Sequence, residues 1–335
     1  MSHLKKGCRN AVETCMDVSK GEKILIVSDG NSKKVGQTIK KIANEITPQI
    51  RFFNLDIYGD RPLNKLPKVI EQAATDANVT FWTARSVDGE LESVRMPFFK
   101  AAVNGGRHAH MLNITEEVVE RGLSGDYHKI EQFTNKICDM ARSASKVRIK
   151  TEKGTDLTAH VGKYKWVSST GIITDIGKWH NLPDGEIFTT PYKMEGKAVI
   201  DGTLGDYFDQ EYDLSVTQET PVEVKIENKE RPRVTDIKCE NQEIEERLNE
   251  YVDRNPCSRD IGELGIGTNL FIDELIGNML MDEKYPSAHI APGDPNNNMT
   301  FAGWSCPTHL DLIIRDTDIW FDDNKIMEKG EYLID

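Results

Sequence analysis

Up to about residue 150, the chain alternates between short apolar runs and stretches in which apolar residues recur at helical spacing. The runs have the length and the β-branched and aromatic content of buried strands. They lie at residues 23–29, 50–55 and 79–83. Helical spacing is found at Val35, Ile39, Ile42 and Ile46, and again at 65–74, 93–104 and 127–144. Strands that alternate with helices predict an α/β fold with a parallel sheet covered on both faces.

The pattern changes near residue 146. Residues 146–151 alternate polar and apolar, a turn follows at 153–156, and short strands separated by glycines continue to about residue 228. One further helix is predicted at residues 241–254. A length of 335 residues favours about two domains. We therefore predict an N-terminal parallel-sheet α/β domain, followed by a β-rich α+β domain that carries the metal site described below. The predicted domains are residues 1–147 and 148–335.

Composition and charge exclude several classes of protein. The content of 38% hydrophobic and 29% charged residues is that of an ordinary globular chain. A formal net charge of −13 argues against a nucleic-acid binder, which normally has a basic face. No apolar run approaches the ~20 residues that a membrane span needs, and the N-terminus lacks the apolar core of a signal peptide. We expect a cytoplasmic protein with no nucleic-acid or membrane partner.

The cysteines form no CxxC pair and no regular framework. They are Cys8, Cys15, Cys138, Cys239, Cys257 and Cys306. In a large cytoplasmic chain we expect them to be reduced and buried as small hydrophobic residues. Cys306 lies three residues before His309, so a CxxH pair of metal ligands is the alternative for this cysteine.

Candidate chemistry is concentrated in the last quarter of the chain, where carboxylates and histidines suit divalent metals. His309 and Asp311 are two residues apart, and on a strand such residues share a face roughly 7 Å apart. Both side chains can therefore reach one ion or two adjacent ions. Glu263 lies in a glycine-rich apolar segment, where an unpaired buried carboxylate is costly. A metal ion would offset that cost, and so would a salt bridge to Arg233 or Arg315.

Two further carboxylates and one histidine extend this set. Glu186 follows a Pro-Asp-Gly turn and begins an apolar strand, where a solvated loop charge is the alternative. Glu283 precedes His289 by six residues with a proline between them, which excludes an HExxH helix. A loop that leads into a strand at His289 fits better, and Glu283 suits the role of general base. His108 and His110 have no nearby carboxylate, so we predict a surface or strand-end pair.

Four segments, in this order, resemble the aminopeptidase T (thermophilic leucyl aminopeptidase) family of metallopeptidases. They are residues 181–191 (NLPDGEIFTTP), 262–269 (GELGIGTN), 282–294 (DEKYPSAHIAPGD) and 309–311 (HLD). The turn at 154–157 and the strand end at Asp29 are also similar, so the resemblance covers most of the chain. It implies a metallo-aminopeptidase that hydrolyses N-terminal peptide bonds of a peptide or small-molecule substrate, and that forms a homodimer.

The same resemblance implies a dinuclear metal site. The ligand set falls on Glu186, Glu263, His289, His309 and Asp311. Glu263 would be the bridging carboxylate, and Glu283 would take the place of the additional active-site glutamate of the family. Two divalent ions of zinc, cobalt or manganese suit these nitrogen and oxygen ligands. Such a pair of ions activates a water molecule for hydrolysis.

Departures from the family pattern support an alternative function. The family has a tyrosine a few residues beyond the histidine of the His-Ile-Ala segment, whereas residues 293–298 read Gly-Asp-Pro-Asn-Asn-Asn. Residues 305–312 and 318–323 also resemble the 2,5-dihydroxypyridine dioxygenase branch of this superfamily, in which two histidines and one carboxylate hold one Fe(II). That branch has a histidine where this chain has Glu263, and it lacks a carboxylate at the position of Glu186. Both glutamates therefore favour two metals. A non-catalytic metal-binding or scaffold protein is the third hypothesis.

Overall fold

In the computed structural model, which describes residues 2–208 and 211–334, the chain folds into two compact units. The first unit comprises Met1–Glu131 and Thr170–Asp184, and the second comprises Gln132–Ser169 and Gly185–Asp335. This division differs from a single boundary after residue 147. The helix that begins at Tyr127 carries the chain from the first unit into the second, and a later segment belongs to the first unit again.

Each predicted helical segment, at residues 35–46, 65–74, 93–104, 127–144 and 241–254, overlaps with a helix, and other helices lie outside these segments. In chain order the helices are α1 (His3–Arg9), α2 (Lys33–Ala43), α3 (Lys68–Asp76), α4 (Met96–Gly105), α5 (Glu116–Gly122), α6 (Tyr127–Ser143), α7 (Gly205–Phe208), α8 (Leu214–Glu219), α9 (Gln242–Val252), α10 (Met279–Asp282) and α11 (Asn297–Thr300). Two π-helical segments, Asn10–Cys15 and Leu91–Arg95, and a 3-10 turn, Leu55–Tyr58, accompany them. None of the helices in the described part of the chain combines the length and the hydropathy that a bilayer span requires.

The strands fall into three sheets. In chain order they are β1 (Ile24–Ser28), β2 (Ile50–Asn54), β3 (Val79–Trp82), β4 (Arg107–His110), β5 (Lys146–Lys150), β6 (Asp156–His160), β7 (Val167–Ser169), β8 (Trp179–Asn181), β9 (Glu186–Thr189), β10 (Lys193–Ile200), β11 (Val222–Asn228), β12 (Pro232–Lys238), β13 (Ile261–Gly267), β14 (Ala288–Pro292), β15 (Leu312–Ile314), β16 (Asp318–Phe321), β17 (Asn324–Glu328) and β18 (Glu331–Tyr332).

The first unit is built on a parallel sheet of strand order β2-β1-β3-β4-β8. Every residue of β1 and β3 is buried, which explains why these strands read as continuous apolar runs rather than as alternating patterns. The predicted strands at residues 23–29, 50–55 and 79–83 form three of its five members. The predicted parallel-sheet α/β region is therefore confirmed.

The second unit contains two antiparallel sheets. One has eight strands in the order β12-β11-β10-β6-β5-β16-β17-β18, and the other has five in the order β15-β14-β13-β9-β7. A single buried cluster joins side chains of both sheets, for example Leu157 and Ala198 from the first and Leu264 and Ile290 from the second. The predicted β-rich second region is confirmed, and this shared core holds the five-stranded sheet in place beneath the candidate site.

Two of the six cysteines contradict the expectation of reduced thiols. Cys257 and Cys306 form a disulfide across 49 residues of sequence, so the predicted alternative of a CxxH ligand pair at Cys306 is also wrong. The spacing of these two cysteines in the sequence does not predict that they pair. They meet because the fold brings the segment before β13 beside the segment before β15. Cys8, Cys15 and Cys138 are buried free thiols, as expected.

Candidate metal centre

Three of the five predicted ligands are carried by strands of the five-stranded antiparallel sheet, and the other two lie just before a fourth strand of it. Glu186 is the first residue of β9, Glu263 lies within β13, His289 lies within β14, and His309 and Asp311 directly precede β15. Because β9, β13, β14 and β15 are hydrogen-bonded neighbours, residues far apart in sequence come together on one sheet. The sheet register therefore fixes the spacing of the site.

Gly265 makes room for one of the histidines. It pairs with His289 across β13 and β14, and a Cβ atom at this position would lie 1.9 Å from His289 Nε2. The imidazole ring thus lies directly over the glycine and reaches along the sheet toward Glu263, which is two residues from Gly265 on the same strand. At Gly267, a Cβ would lie 1.9 Å from the carbonyl oxygen of Tyr285. The glycine-rich segment is a packing requirement of the site.

The five side chains form two overlapping groups in which the ligand atoms lie within 4.8 Å of one another. The inner half-site is Glu186, Glu263 and His289, which are all buried; the outer half-site is Glu263, His309 and Asp311, which is partly exposed. Glu263 belongs to both. Its Oε1 lies 3.4 Å from His289 Nε2, and its Oε2 lies 3.9 Å from His309 Nε2. The two oxygens of one carboxylate therefore face different histidines.

His309 is oriented by its other ring nitrogen. Nδ1 lies 2.8 Å from the backbone carbonyl oxygen of Asp294, to which it donates. Nε2 lies 3.2 Å from Asp311 Oδ1. A backbone acceptor on one nitrogen is the usual device that directs the other nitrogen toward a metal.

Both histidines face carboxylates, and this changes their acidity. Burial lowers the pKa of His289, but the carboxylates of Glu263, Glu186 and Asp311 outweigh burial and raise this pKa to about 9. Burial also lowers the pKa of His309, and Asp311 and Glu263 raise it well above its ordinary value. Nitrogen atoms that face several carboxylates need a cation between them, either a proton or a metal ion.

The donor set fits a divalent metal. Both ring nitrogens of His289 are buried without a hydrogen-bond partner among the described residues. Four buried or nearly buried carboxylates, those of Glu186, Glu263, Glu283 and Asp311, face one buried ammonium group, so the site carries an excess of negative charge. Buried charge of this kind is paired with cationic side chains or coordinates a metal. Imidazole and carboxylate ligands suit zinc, cobalt, manganese or iron rather than a soft metal.

The ammonium group belongs to Lys284, which the sequence analysis did not assign. Its side chain is fully buried, and Nζ lies 2.6 Å from Glu186 Oε1 and 2.6 Å from Glu283 Oε1. Burial raises the pKa of Glu283 to about 8; Lys284 opposes this shift and Glu186 adds to it. A carboxyl group that exchanges its proton near neutral pH suits an acid–base role. The signal that could have identified Lys284 is a single lysine within the motif Asp-Glu-Lys.

Asn296 is a second residue that the sequence analysis did not assign. Its Nδ2 donates to Glu263 Oε2 at 2.7 Å. The residue is in the left-handed region, with φ 51°, and its backbone N–H donates to Asp294 Oδ1 at 2.8 Å. Asp294 therefore orients both Asn296 and His309. Asn296 is the first of the three asparagines at residues 296–298, a segment in which the resemblance to the aminopeptidase T family led us to expect a tyrosine.

Other candidates lie outside the two groups. His108 is buried in the first unit, where Nδ1 hydrogen-bonds to Thr80 Oγ1 at 2.8 Å and Nε2 to His110 at 3.2 Å. The predicted surface or strand-end pair lies at the end of β4, and the surface alternative is wrong for His108, because β4 is an inner strand of its sheet. The salt bridge considered for Glu263 is not formed with Arg233, whose guanidinium instead pairs with Asp260.

Comparison with known families gives one match over most of the chain. The sequence model of the NicX family, described as 2,5-dihydroxypyridine 5,6-dioxygenase, matches residues 3–270. This match includes Glu186 and Glu263 and ends before His289. A relative from Pseudomonas putida KT2440, 2,5-dihydroxypyridine 5,6-dioxygenase, is 23% identical over 211 residues, which are 57% of this chain and 55% of the relative. The match thus spans about half the length of that relative.

Two solved structures share the fold. The structure of 2,5-dihydroxypyridine dioxygenase from Pseudomonas putida KT2440 superposes with a TM-score of 0.71 at 18% identity, covering 100% of this chain and 99% of that chain. AmpT from Thermus thermophilus superposes with a TM-score of 0.69 at 16% identity, covering 99% of each chain. At such identities the likeness concerns the fold, and both folds contain the same succession of a parallel-sheet region and an antiparallel region.

Proposed function

The chain belongs to the NicX family, described as 2,5-dihydroxypyridine 5,6-dioxygenase, and within this family of enzymes we propose that it is a dinuclear metallo-aminopeptidase. The proposed ligands are the inner and outer half-sites, with Glu263 shared between two divalent ions. The proposed substrate is a peptide or a small amide with a free N-terminal amine. We propose a homodimer that acts in the cytoplasm without a nucleic-acid or membrane partner.

The observation that carries this proposal is the division of the two histidines between the half-sites. Each half-site has one imidazole and two carboxylates, and Glu263 is common to both. A mononuclear iron centre of the two-histidine, one-carboxylate type needs both histidines on one ion. Among the described residues, no group of potential ligands combines His289 with His309. A shared carboxylate between two sets of ligands supports two ions.

The reaction follows from the side chains around this pair. Bound ions would act as Lewis acids, polarising the scissile carbonyl and lowering the pKa of the attacking water. Glu283, with its pKa raised to about 8, accepts a proton from that water and donates it to the departing amine. Asn296 Nδ2 holds Glu263 Oε2, so that the shared carboxylate keeps its orientation during turnover. The excess of carboxylates suits the free amine of the substrate.

The direct test is hydrolysis of aminoacyl p-nitroanilides by purified protein loaded with zinc, cobalt or manganese. Glu263→Gln keeps the size of the side chain and removes the charge shared by both half-sites. We expect this change to lower kcat by at least about 100-fold while the circular dichroism spectrum is unchanged. Asp236→Asn, a surface change on β12, is the control and should retain full activity. Undiminished turnover by Glu263→Gln would contradict the assignment.

A ring-cleaving dioxygenase is the second candidate, and membership of the NicX family favours it. It would use one Fe(II) rather than two hydrolytic ions. Oxygen consumption with 2,5-dihydroxypyridine after loading with Fe(II), together with one metal per chain, would support this candidate. Two metals per chain and release of p-nitroaniline would support the aminopeptidase. If the apo-protein takes up no divalent metal, both enzyme hypotheses fail.

A further inference from the structure

Lys284 forms an ion pair with a ligand of the inner half-site, whereas its charge acts on Asp311 of the outer half-site without an ion pair. Its ammonium group contacts Glu186 Oε1, and Glu186 is a ligand of the inner half-site alone. Among the described residues, no lysine or arginine forms an ion pair with Asp311 or Glu263 of the outer half-site, whose ion pairs are those with His289 and His309. The two half-sites therefore have similar ligands but different neighbours.

The backbone of Lys284 is fixed closely enough to hold the ammonium group in place. Its carbonyl oxygen accepts a hydrogen bond from the backbone N–H of Asn269 at 3.0 Å. A Cβ at Gly267 would lie 2.7 Å from the carbonyl carbon of Lys284, so the chain before β14 is pressed against the end of β13. A fully buried lysine on such a backbone cannot move its charge into solvent, and it keeps Glu186 and Glu283 as its counter-ions.

We propose that Lys284 makes the two half-sites unequal, so that the outer half-site binds its ion first and tightly and the inner half-site binds a second ion weakly. This inference rests on the two-ion site of the proposed function. The ammonium group repels a divalent ion at the inner half-site, and it also shares the charge of Glu186, which is a ligand there. At a separation of a few ångströms, such a charge changes affinity by about 100-fold or more. Lys284 is thus a positioning residue that sets the order of metal binding.

The partial exposure of the outer half-site agrees with this order. The His309 side chain is 28% exposed, whereas that of His289 is fully buried. An ion from solvent reaches the outer ligands without moving the core, and the inner half-site loads afterwards. The inner ion is then the exchangeable one, so the concentration of free metal controls how much of the protein is in the two-ion form.

The test is titration of metal-free protein with Mn²⁺, followed by calorimetry and by the electron paramagnetic resonance signal of free Mn²⁺. For the unmodified chain we expect two binding steps that differ by about 100-fold in affinity, with spin coupling between the ions only after the second step. Lys284→Met should tighten the second step at least about tenfold and change the first by less than about threefold. Lys284→Arg, which keeps the charge, should preserve the difference between the steps.

Loss of the buried ammonium group could prevent folding, so a charge-balanced variant accompanies it. Glu283→Gln combined with Lys284→Met removes one negative and one positive charge. It should still tighten the second step, because Glu186 is freed, but by less than Lys284→Met does, because the attraction of Glu283 for the ion is lost as well. Lys197→Met, which removes an exposed lysine paired with Glu223, is the matched control and should bind metal as the unmodified chain does. Thermal unfolding of each metal-free variant checks the fold.

The outcomes separate this inference from the proposed function. Two steps of equal affinity in the unmodified chain, or a second step that Lys284→Met and the charge-balanced variant leave unchanged, would overturn the role of Lys284 and leave the two-ion hydrolase intact. A single bound ion in every variant would overturn the two-ion site itself. One ion in the unmodified chain and two in Lys284→Met would uphold the role of Lys284 and overturn the two-ion form of the proposed function.

Discussion

His289 owes its position to a residue that has no side chain. The ring lies over Gly265, and it is held between carboxylates rather than by a hydrogen bond to its own nitrogens. Glu263 is also positioned by a residue that is not a proposed ligand, because the side-chain amide of Asn296 holds the carboxylate that both half-sites share. At the scale of single residues, the site depends as much on these supporting positions as on its ligands.

Replacing Gly265 by alanine should damage the inner half-site. The added methyl group would overlap His289 Nε2, so the ring must move, and overpacking of this kind costs about 1–3 kcal/mol. We expect Gly265→Ala to weaken the binding of one ion by at least about tenfold and to leave the other ion bound, measured by calorimetric titration. Gly105→Ala, where the new methyl group meets only ordinary contacts, should behave as the unmodified chain. Equal binding by both variants would show that His289 is not a ligand.

Asn296→Asp tests the amide that holds Glu263. The change replaces a donor by a carboxylate 2.7 Å from Glu263 Oε2, and like charges at that distance repel. We expect kcat for anilide hydrolysis to fall by at least about tenfold. Asn298→Asp adds the same charge at an exposed position two residues away, and it should retain full activity. A similar loss in both variants would assign the effect to net charge rather than to the contact with Glu263.

At the scale of elements, the strands and helices were predictable and the way in which they assemble was not. The buried runs of β1 and β3 and the helical spacing of α2 identify their elements because apolar periodicity is local. The strands β9 and β14 were also indicated by their sequence, whereas β13 was described only as a glycine-rich apolar segment. Spacing alone suggested the pair His309 and Asp311, whereas Glu186 was assigned only through a family resemblance.

What the sequence could not reveal depends on contacts between distant segments. The carboxylates at Lys284 come from β9 and from its own sequence neighbour, so only the fold makes it a buried cation beside the site. Asn296 reaches Glu263 across 33 residues. The disulfide between Cys257 and Cys306 likewise joins two loops whose proximity no local pattern records. Each of these residues lies in a loop, where periodicity carries no information.

The disulfide should stabilise the elements that carry the outer half-site. It closes a loop across 49 residues. Closing a loop of that size lowers the conformational entropy of the unfolded chain, which stabilises the folded state by about 4 kcal/mol. We expect Cys257→Ser combined with Cys306→Ser to lower the free energy of unfolding by up to about that amount, measured by urea denaturation of the metal-free protein. Cys239→Ser, which removes a free thiol, is the control. An unchanged urea midpoint would show that the bond does not constrain the fold.

At the scale of the whole molecule, the acidic balance and the metal centre are linked. The chain carries a formal net charge of −13, and several of its carboxylates are concentrated at one buried site rather than spread over the surface. Without metal, protons on His289 and His309 are the cations that compensate this charge. Metal binding at the proposed ligands would therefore exchange protons for ions.

The exchange predicts a pH dependence of metal affinity. The carboxylates raise the pKa of His289 to about 9 and that of His309 well above its ordinary value, so we expect both rings to carry a proton at pH 7 in the metal-free protein. Filling both half-sites at pH 7 should release about two protons, measured by calorimetry in buffers of different ionisation enthalpy. Affinity should rise as pH increases from 6 to 9. Release of no protons would contradict the assignment of both rings as ligands.

The arrangement of ligands on paired strands also limits how this protein can evolve. Side chains alternate between the two faces of a sheet, so inserting or deleting one residue within β13 or β14 would turn a ligand to the opposite face. The loops between these strands carry no such restriction. A change of length is therefore tolerated in a loop such as the one that carries Asn296, whereas the proposed ligands on β9, β13 and β14 require a fixed register.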